Sequence, residues 1–295
     1  ARGGRRAEGE PPMIARPARR GVARADAASS ADRIALAFAR CEEAGEAALV
    51  TYVMGGDPDV ATSKAMALAC VEGGADLLEL GVPFSDPIAD GPTIQAAAER
   101  ALAARTTVAD VLEVARAVRA RSDVPIALMG YLNPMLAHGA EAFVKGCAAA
   151  GVDALIVPDL LPEEAEVLAA PAAAHGVKLV YLLAPTSNAR RVEAAAQAAT
   201  GFLYFVSVTG VTGANKAVPT EIAAQVATIR ARSPVPVVIG FGVATPDDAR
   251  AMAPLADGVV VGSAIVKRIA EGGSRPARAE RVRRLVRSLK RALRR

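Results

Sequence analysis

The chain has 295 residues, room for one large α/β domain or two small ones. At 52% hydrophobic, with aromatics at only 3% and no Trp, its core must be built from Ala, Val, Leu and Ile. The net charge of +4 sits at the ends: residues 1–30 carry seven Arg against three acids and residues 275–295 nine Arg and Lys290 against Glu280, leaving 18 basic and 27 acidic residues in 31–274. This distribution excludes a basic, aromatic-studded nucleic-acid groove; no apolar run reaches the roughly 18 residues of a membrane span; and three scattered cysteines (Cys41, Cys70, Cys147) without a CxxC pair exclude a disulfide scaffold.

Residues 1–30 contain no apolar stretch of the secretory kind, and read as a disordered basic leader or as a start placed upstream of Met13. A transit peptide, which would also be Arg-rich and poor in acids, is the alternative. Residues 31–295 then form one domain. The cysteines read as reduced, buried and apolar, as in the cytoplasm. Residues 31–45 predict a helix that closes the bottom of the domain.

From Ala48 onward short β-branched runs alternate with Ala-rich amphipathic stretches, the rhythm of repeated βα units with a parallel sheet. The runs are Ala48–Val53, Leu77–Leu80, Pro125–Met129, Ala154–Val157, Leu179–Leu183, Leu203–Ser207, Val235–Ile239 and Gly258–Val261, with a wider gap before the third. Eight such units predict a single (β/α)8 TIM barrel with an extra N-terminal helix. Between the runs, 59–72 predicts a helix capped by Asp57 with Pro58 in its first turn. Residues 107–121 predict one that starts after Thr106 or Thr107 and ends in Arg119 and Arg121, which suits the helix dipole. A last helix over 278–293 puts Val282, Leu285, Val286, Leu289 and Leu293 on one face and Arg on the other. It reads as docked on the barrel wall with its basic face solvated; the alternative is a membrane or nucleic-acid surface.

Barrel active sites lie at the C-terminal ends of the strands. The loops Gly81–Pro92 and Val208–Pro219 are longer than usual βα loops, as functional loops tend to be. In Leu77-Leu78-Glu79-Leu80, alternation puts Leu78 and Leu80 on one face and Glu79 on the other, which in a barrel is the interior. A desolvated carboxylate there has a raised pKa and can serve as an acid or base near neutrality; a structural ion pair is the alternative. The following loop carries Asp86 and Asp90 between prolines, so that one carboxylate, Asp90, can stand opposite Glu79 as its partner, or cap the helix starting near Pro92.

Ile239-Gly240-Phe241-Gly242 and Val261-Gly262-Ser263-Ala264-Ile265-Val266 follow the last two strands. There, glycines allow close backbone approach and a short helix offers N–H groups to an anion, the usual phosphate site of this fold. Gly210-Val211-Thr212-Gly213 can add donors. His138 and His175 lie away from strand ends, so a metal site or a His-activated nucleophile is not expected. Lys64, Lys145, Lys178, Lys216 and Lys267 are all misplaced for a Schiff base, so carbon–carbon chemistry here would be acid–base driven.

The stretch Leu78–Thr93, with its two placed carboxylates, resembles the signature of tryptophan synthase alpha subunits. Supporting matches are Gly56-Asp57-Pro58, Tyr131-Leu132-Asn133-Pro134, Pro158-Asp159-Leu160, Tyr204-Phe205-Val206-Ser207, Gly210–Gly213, Gly240–Gly242 and Gly262–Val266. The resemblance spans about residues 31–290. It implies retro-aldol cleavage of indole-3-glycerol phosphate to indole and glyceraldehyde 3-phosphate. It also implies an α2β2 complex, in which indole passes to a pyridoxal-phosphate-dependent beta subunit, with no cofactor or metal in this subunit. By the same resemblance, Glu79 protonates indole C3 and assists carbonyl formation, and Asp90 stabilises positive charge at the indole nitrogen. Tyr204 positions Glu79, and Thr212 orders Asp90 on loop closure. Tyr52 and Met129 line the indole pocket, and Gly213, Gly242, Gly262 and Ser263 hold the phosphate. Three other readings stay open: a sugar-phosphate isomerase or epimerase barrel, a subunit that mainly activates a beta partner, and a stand-alone indole-releasing relative.

Overall fold

The computed structural model describes residues 32–206, 220–240 and 242–294; the leader and the segment 207–219 lie outside them. Eight parallel strands close into a barrel in sequential order: β1 (Ala48–Met54), β2 (Leu77–Gly81), β3 (Ile126–Met129), β4 (Ala154–Ile156), β5 (Lys178–Leu183), β6 (Leu203–Val206), β7 (Val237–Gly240) and β8 (Gly258–Val261). Each lies within the run that predicts it or differs from it by a residue or two at its ends, because a period-2 apolar pattern is a local property that the chain displays before it folds.

The helices are α1 (Arg33–Glu43), α2 (Val60–Gly73), α3 (Pro92–Ala103), α4 (Val108–Arg119), α5 (Leu132–His138), α6 (Ala140–Ala149), α7 (Glu166–Ala174), α8 (Ala189–Ala198), α9 (Thr220–Arg232), α10 (Pro246–Met252), α11 (Ser263–Ala270) and α12 (Arg275–Ala292). The wide gap before β3 holds two helices, α3 and α4, so it breaks no repeat.

One cap is a correction. Asp59, not Asp57, caps α2, through a 2.7 Å bond to the Thr62 N–H. Asp57 turns inward, is 1% exposed, and takes a two-pronged ion pair from Arg100 of α3 at 2.7 and 2.8 Å. A carboxylate in the first turn satisfies an orphan N–H wherever it stands. Which of two neighbouring Asp does so was settled by the distant Arg100. At α4 the cap is Thr107, which forms a reciprocal capping box with Asp110.

Outward-facing strand residues such as Leu49, Leu78, Leu80, Leu128, Phe205 and Ile239 join the helices in one continuous apolar sleeve. Inward residues form a second cluster at the barrel floor: Val50, Leu77, Ala127, Ile156, Val180, Phe202 and Val238 pack on Ile34, Phe38 and Cys41 of α1. The predicted closing helix is therefore a plug. All three cysteines are free and buried. Helix α12 buries Val282, Val286 and Leu289 mainly against α2. The approach is close enough that a Cβ on Gly73 would lie 2.7 Å from that of Val286. Exposed arginines such as Arg284 occupy the opposite face.

Beneath the barrel a polar rim repeats with the strands. Each even strand is preceded by a side chain that accepts the N–H of a residue at or near the start of the odd strand before it: Asp76 from Leu49 at 2.7 Å, Asp153 from Ile126 at 2.8 Å, Thr200 from Leu179 at 2.9 Å, and Asp257 from Val237 at 2.9 Å. Lys290, Arg119 and Arg230 neutralise the three aspartates. These half-buried charges are tolerable because each is both paired and hydrogen-bonded. Among the described residues no helix is long and apolar enough to cross a membrane.

Candidate active site

The opposite, C-terminal mouth of the barrel collects the chemistry. Glu79, in the middle of β2, is 1% exposed and points inward, while Leu78 and Leu80 join the outer sleeve. Among the described residues it has no ion-pair partner, and its Oε2 atom is buried without a hydrogen bond. Burial, reinforced by the charge of Asp90, pushes its pKa from 4.5 up to about 8. A carboxyl group that is protonated at neutrality, buried and unengaged is a proton donor waiting for an acceptor.

Asp90 ends the loop after β2. The position is near enough to Glu79 for the two to interact electrostatically. Its carboxylate does not cap the next helix: the cap residue of α3 is Gly91, which makes no side-chain cap bond, and only the main-chain carbonyl of Asp90 is used locally, by Gln95. Burial raises the pKa of Asp90, and a hydrogen bond from the Tyr131 hydroxyl pulls the other way. The two carboxyls thus sit in different environments, the arrangement that separates an acid from an anion.

Two tyrosines flank Glu79. Tyr52 pairs with Glu79 in the β1–β2 register and is 5% exposed, with its hydroxyl 3.7 Å from the Met54 sulfur. Tyr204 rises from β6. Burial raises both phenol pKa values well above normal, and the charges of Glu79 and Asp90 add to this, so both stay protonated. Each ring is accommodated by a glycine on the neighbouring strand: a Cβ on Gly81 would lie 2.1 Å from the Tyr52 hydroxyl, and one on Gly240 would lie 2.5 Å from the Tyr204 ring. Gly240→Ala should therefore displace Tyr204 and lower kcat/KM by on the order of 10- to 100-fold with the fold intact, since a misplacement of about 1 Å can cost that much. Steady-state kinetics beside far-UV circular dichroism checks this; unchanged kinetics would mean that Tyr204 has no positioning role. Met129, at the end of β3, packs between the barrel interior and the Tyr52 cluster.

The glycine-rich ends of β7 and β8 lie at the same mouth. Gly242 adopts a φ of 46°, a left-handed conformation that favours glycine. Gly262 is the cap residue of α11 and lies against Tyr52, with 3.4 Å from its added Cβ to that of Tyr52. Its carbonyl takes the N–H groups of Ile265 and Val266, and no side chain caps the helix, so among the described residues the N–H groups of Ser263 and Ala264 are left to face an anion. Thr212 and Gly213 lie outside the described residues.

The negative expectations can be located too. His175 bonds Glu141 at 2.7 Å on the outer surface, and His138 lies edge-on to Phe143. Lys178 opens β5 at the bottom and pairs with Asp32. Among the described residues no cluster of three or more His, Cys, Asp or Glu could hold a metal ion. The residue that reading by motif undervalued is Tyr131. It lies two positions beyond β3, where side chains reach the mouth, and its place at a strand's C-terminal end was the available signal.

A closed eightfold barrel whose mouth brings together a buried carboxyl of raised pKa, a second carboxyl near it and a helix start with no side-chain cap is the kind of site that acid–base enzymes of this fold use. The family model for the tryptophan synthase alpha chain matches residues 38–294. Relatives named tryptophan synthase alpha chain include those of Geobacter sulfurreducens, 54% identical over 80% of this chain and 89% of the relative, and of Pelobacter propionicus, 47% identical over 89% and 98%. Among solved structures, a tryptophan synthase from Mycobacterium tuberculosis superposes with a TM-score of 0.82 at 39% identity, covering 90% of this chain and 99% of that one. The chain belongs to the tryptophan synthase alpha chain family, and it is a lyase of tryptophan biosynthesis.

Proposed function

We propose that the chain cleaves indole-3-glycerol phosphate to indole and glyceraldehyde 3-phosphate, with Glu79 and Asp90 as the catalytic pair. The observation that carries this reading is the Glu79 carboxyl, buried, with its Oε2 atom without a hydrogen bond and its pKa pushed up to about 8. Retro-aldol cleavage needs the indole ring made tetrahedral at C3 before the bond to the side chain can break. Glu79 gives its proton to C3. The anion of Asp90 offsets the positive charge that then develops at the ring nitrogen. As the carbon–carbon bond breaks, its electrons restore the aromatic ring, and the side-chain hydroxyl returns a proton to the Glu79 carboxylate as the carbonyl forms. The residue ends as it began. Each general acid–base step supplies typically about 10²–10⁴-fold, and exclusion of water by the mouth loops supplies more.

Tyr204 holds Glu79 in place, Tyr52 and Met129 line the indole pocket, and Gly242, Gly262 and Ser263 receive the phosphate. Thr212 and Gly213 are proposed to join them from the sixth loop. No cofactor is needed in this subunit for chemistry of this kind. Indole passes to a beta subunit, where pyridoxal phosphate resides, within an α2β2 assembly. Asp90→Asn keeps the shape and removes the anion. It should lower indole release by about 10²-fold or more, in line with the size of such steps, while leaving glycerol 3-phosphate binding within about twofold. Indole release by the isolated chain, then with added beta subunit, tests the whole reading. No release under either condition would overturn it.

A further inference from the structure

Asp90 stands at the end of a loop in which Ser85, Asp86, Ile88 and Ala89 are exposed. Directly after it comes Gly91, the cap residue of α3. The backbone does not require glycine there. Its φ of −76° is one that any residue adopts, and among the described residues a Cβ added to it would meet no atom within 4 Å. Glycine has the freest backbone of any residue, so this joint gives the Asp90 end of the loop room to swing.

One residue of α3 restrains the joint on both sides. Gln95 gives its main-chain N–H to the Gly91 carbonyl at 3.0 Å and its side-chain Nε2 to the Asp90 carbonyl at 2.8 Å. Those carbonyls belong to the two peptide planes that flank Gly91, and the Cα of Asp90 lies in the first of them. The place from which the Asp90 side chain departs is thereby tied to α3. The helix is a firm mount. Its inner face, Ile94, Ala97, Ala98 and Ala101, packs on Tyr52 and Met54 of β1 and on Val266 of α11. Further along, Arg100 grips the buried Asp57 through bonds of 2.7 and 2.8 Å.

We propose that Gln95 is a positioning residue, which holds the main chain at Asp90 against α3 and so sets where the Asp90 carboxylate meets the substrate; this rests on the role of Asp90 in the proposed cleavage. Gln95 acts through Asp90 alone. A carbonyl only accepts, so the side chain that holds it must donate.

The test compares Gln95→Met, Gly91→Ala, Asp90→Asn and the double variants Gln95→Met/Asp90→Asn and Gln95→Met/Gly91→Ala with the unaltered protein. It measures kcat and KM for indole release, the Kd of glycerol 3-phosphate and the thermal midpoint. Met keeps the length of the side chain and removes the donor. For Gln95→Met we expect kcat reduced about 10- to 100-fold, KM and Kd within about threefold, and a thermal midpoint within about 5 °C, the size of one lost hydrogen bond. On top of Asp90→Asn, the Gln95 change should add no further loss. On top of Gly91→Ala it should cost several-fold less than alone, because Ala narrows the swing that the amide otherwise restrains. An unchanged kcat in Gln95→Met, a further loss beyond Asp90→Asn, or an equal loss with Ala at position 91 would overturn the proposal. So would a rise in KM and Kd matching the fall in kcat, which marks a direct ligand contact, or a midpoint lowered by more than about 10 °C, which marks a loosened α3. Failure of the underlying reading looks different, because the unaltered protein would then release no indole, or Asp90→Asn would be as active as the parent.

Discussion

Replacing Glu79 by Gln should abolish measurable indole release while making the protein more resistant to denaturation at neutral pH. The first half follows from chemistry. An amide of the same shape cannot deliver and recover a proton, and loss of both transfers removes at least about 10²–10⁴-fold of the rate. The second half follows from burial. In the unfolded chain the Glu79 carboxyl ionises above its ordinary value of 4.5, whereas in the folded barrel it stays protonated to about pH 8. Between those values the folded state holds a proton that the unfolded state has released, so this group makes stability fall as pH rises, by up to about 1.4 kcal/mol per unit. Gln does not titrate and escapes the penalty. Its stability relative to the parent should therefore improve between pH 4.5 and 8, by up to about 5 kcal/mol, and then level off. Urea unfolding of both proteins at pH 5, 6.5 and 8 reads this directly. Parallel stability profiles would show that Glu79 is not held neutral by the fold, and retained turnover would remove it from the mechanism.

The second large effect is expected at the other end of the barrel, far from any chemistry. Phe202 is fully buried in the floor, its ring centroid 6.0 Å from that of Phe38 on the plugging helix α1. Truncating it to Ala removes contacts on both sides of the α1–barrel junction and leaves a cavity that rigid strands cannot close. Phe-to-Ala changes at such sites cost about 3–5 kcal/mol. For a domain of this size that lowers the thermal midpoint by roughly 10 °C. Activity at 20 °C should stay within about twofold of the parent, because Glu79 and Asp90 stand at the opposite mouth. A loss under about 1 kcal/mol would mean that the floor is loosely packed and that α1 is not a plug.

The placement of Glu79 was readable because strand alternation is strict: once Leu78 and Leu80 face the helices, Glu79 must face the barrel. The place of Gly242, Gly262 and Ser263 at the mouth was readable for a similar reason, since they follow identifiable strands and strand ends define the mouth. What could not be read depends on partners far along the chain. Asp57 and Asp59 are equivalent as local caps, and Arg100, 43 residues away from Asp57, separates them. Asp90 could have capped α3 on local grounds. Gly91 is the cap residue instead, and the Tyr131 hydroxyl, from beyond the next strand, takes the N–H of Ala89 beside it. The rim of Asp76, Asp153, Thr200 and Asp257 gives no local signal either, because each serves the start of a neighbouring strand 20–27 residues away.

The amino-acid order alone thus determined the eightfold strand–helix rhythm, the inward face of β2 and the stretch that carries the family resemblance. Periodicity and short motifs need only neighbours within a turn or a pleat. Closure of the barrel decided the rest: that burial pushes the Glu79 pKa up to about 8, that the Tyr131 hydroxyl takes the Ala89 N–H beside Asp90, and that glycines on β2 and β7 make room for Tyr52 and Tyr204. Those properties are set by distance and dielectric between strands, which exist only once segments remote in the chain are brought side by side.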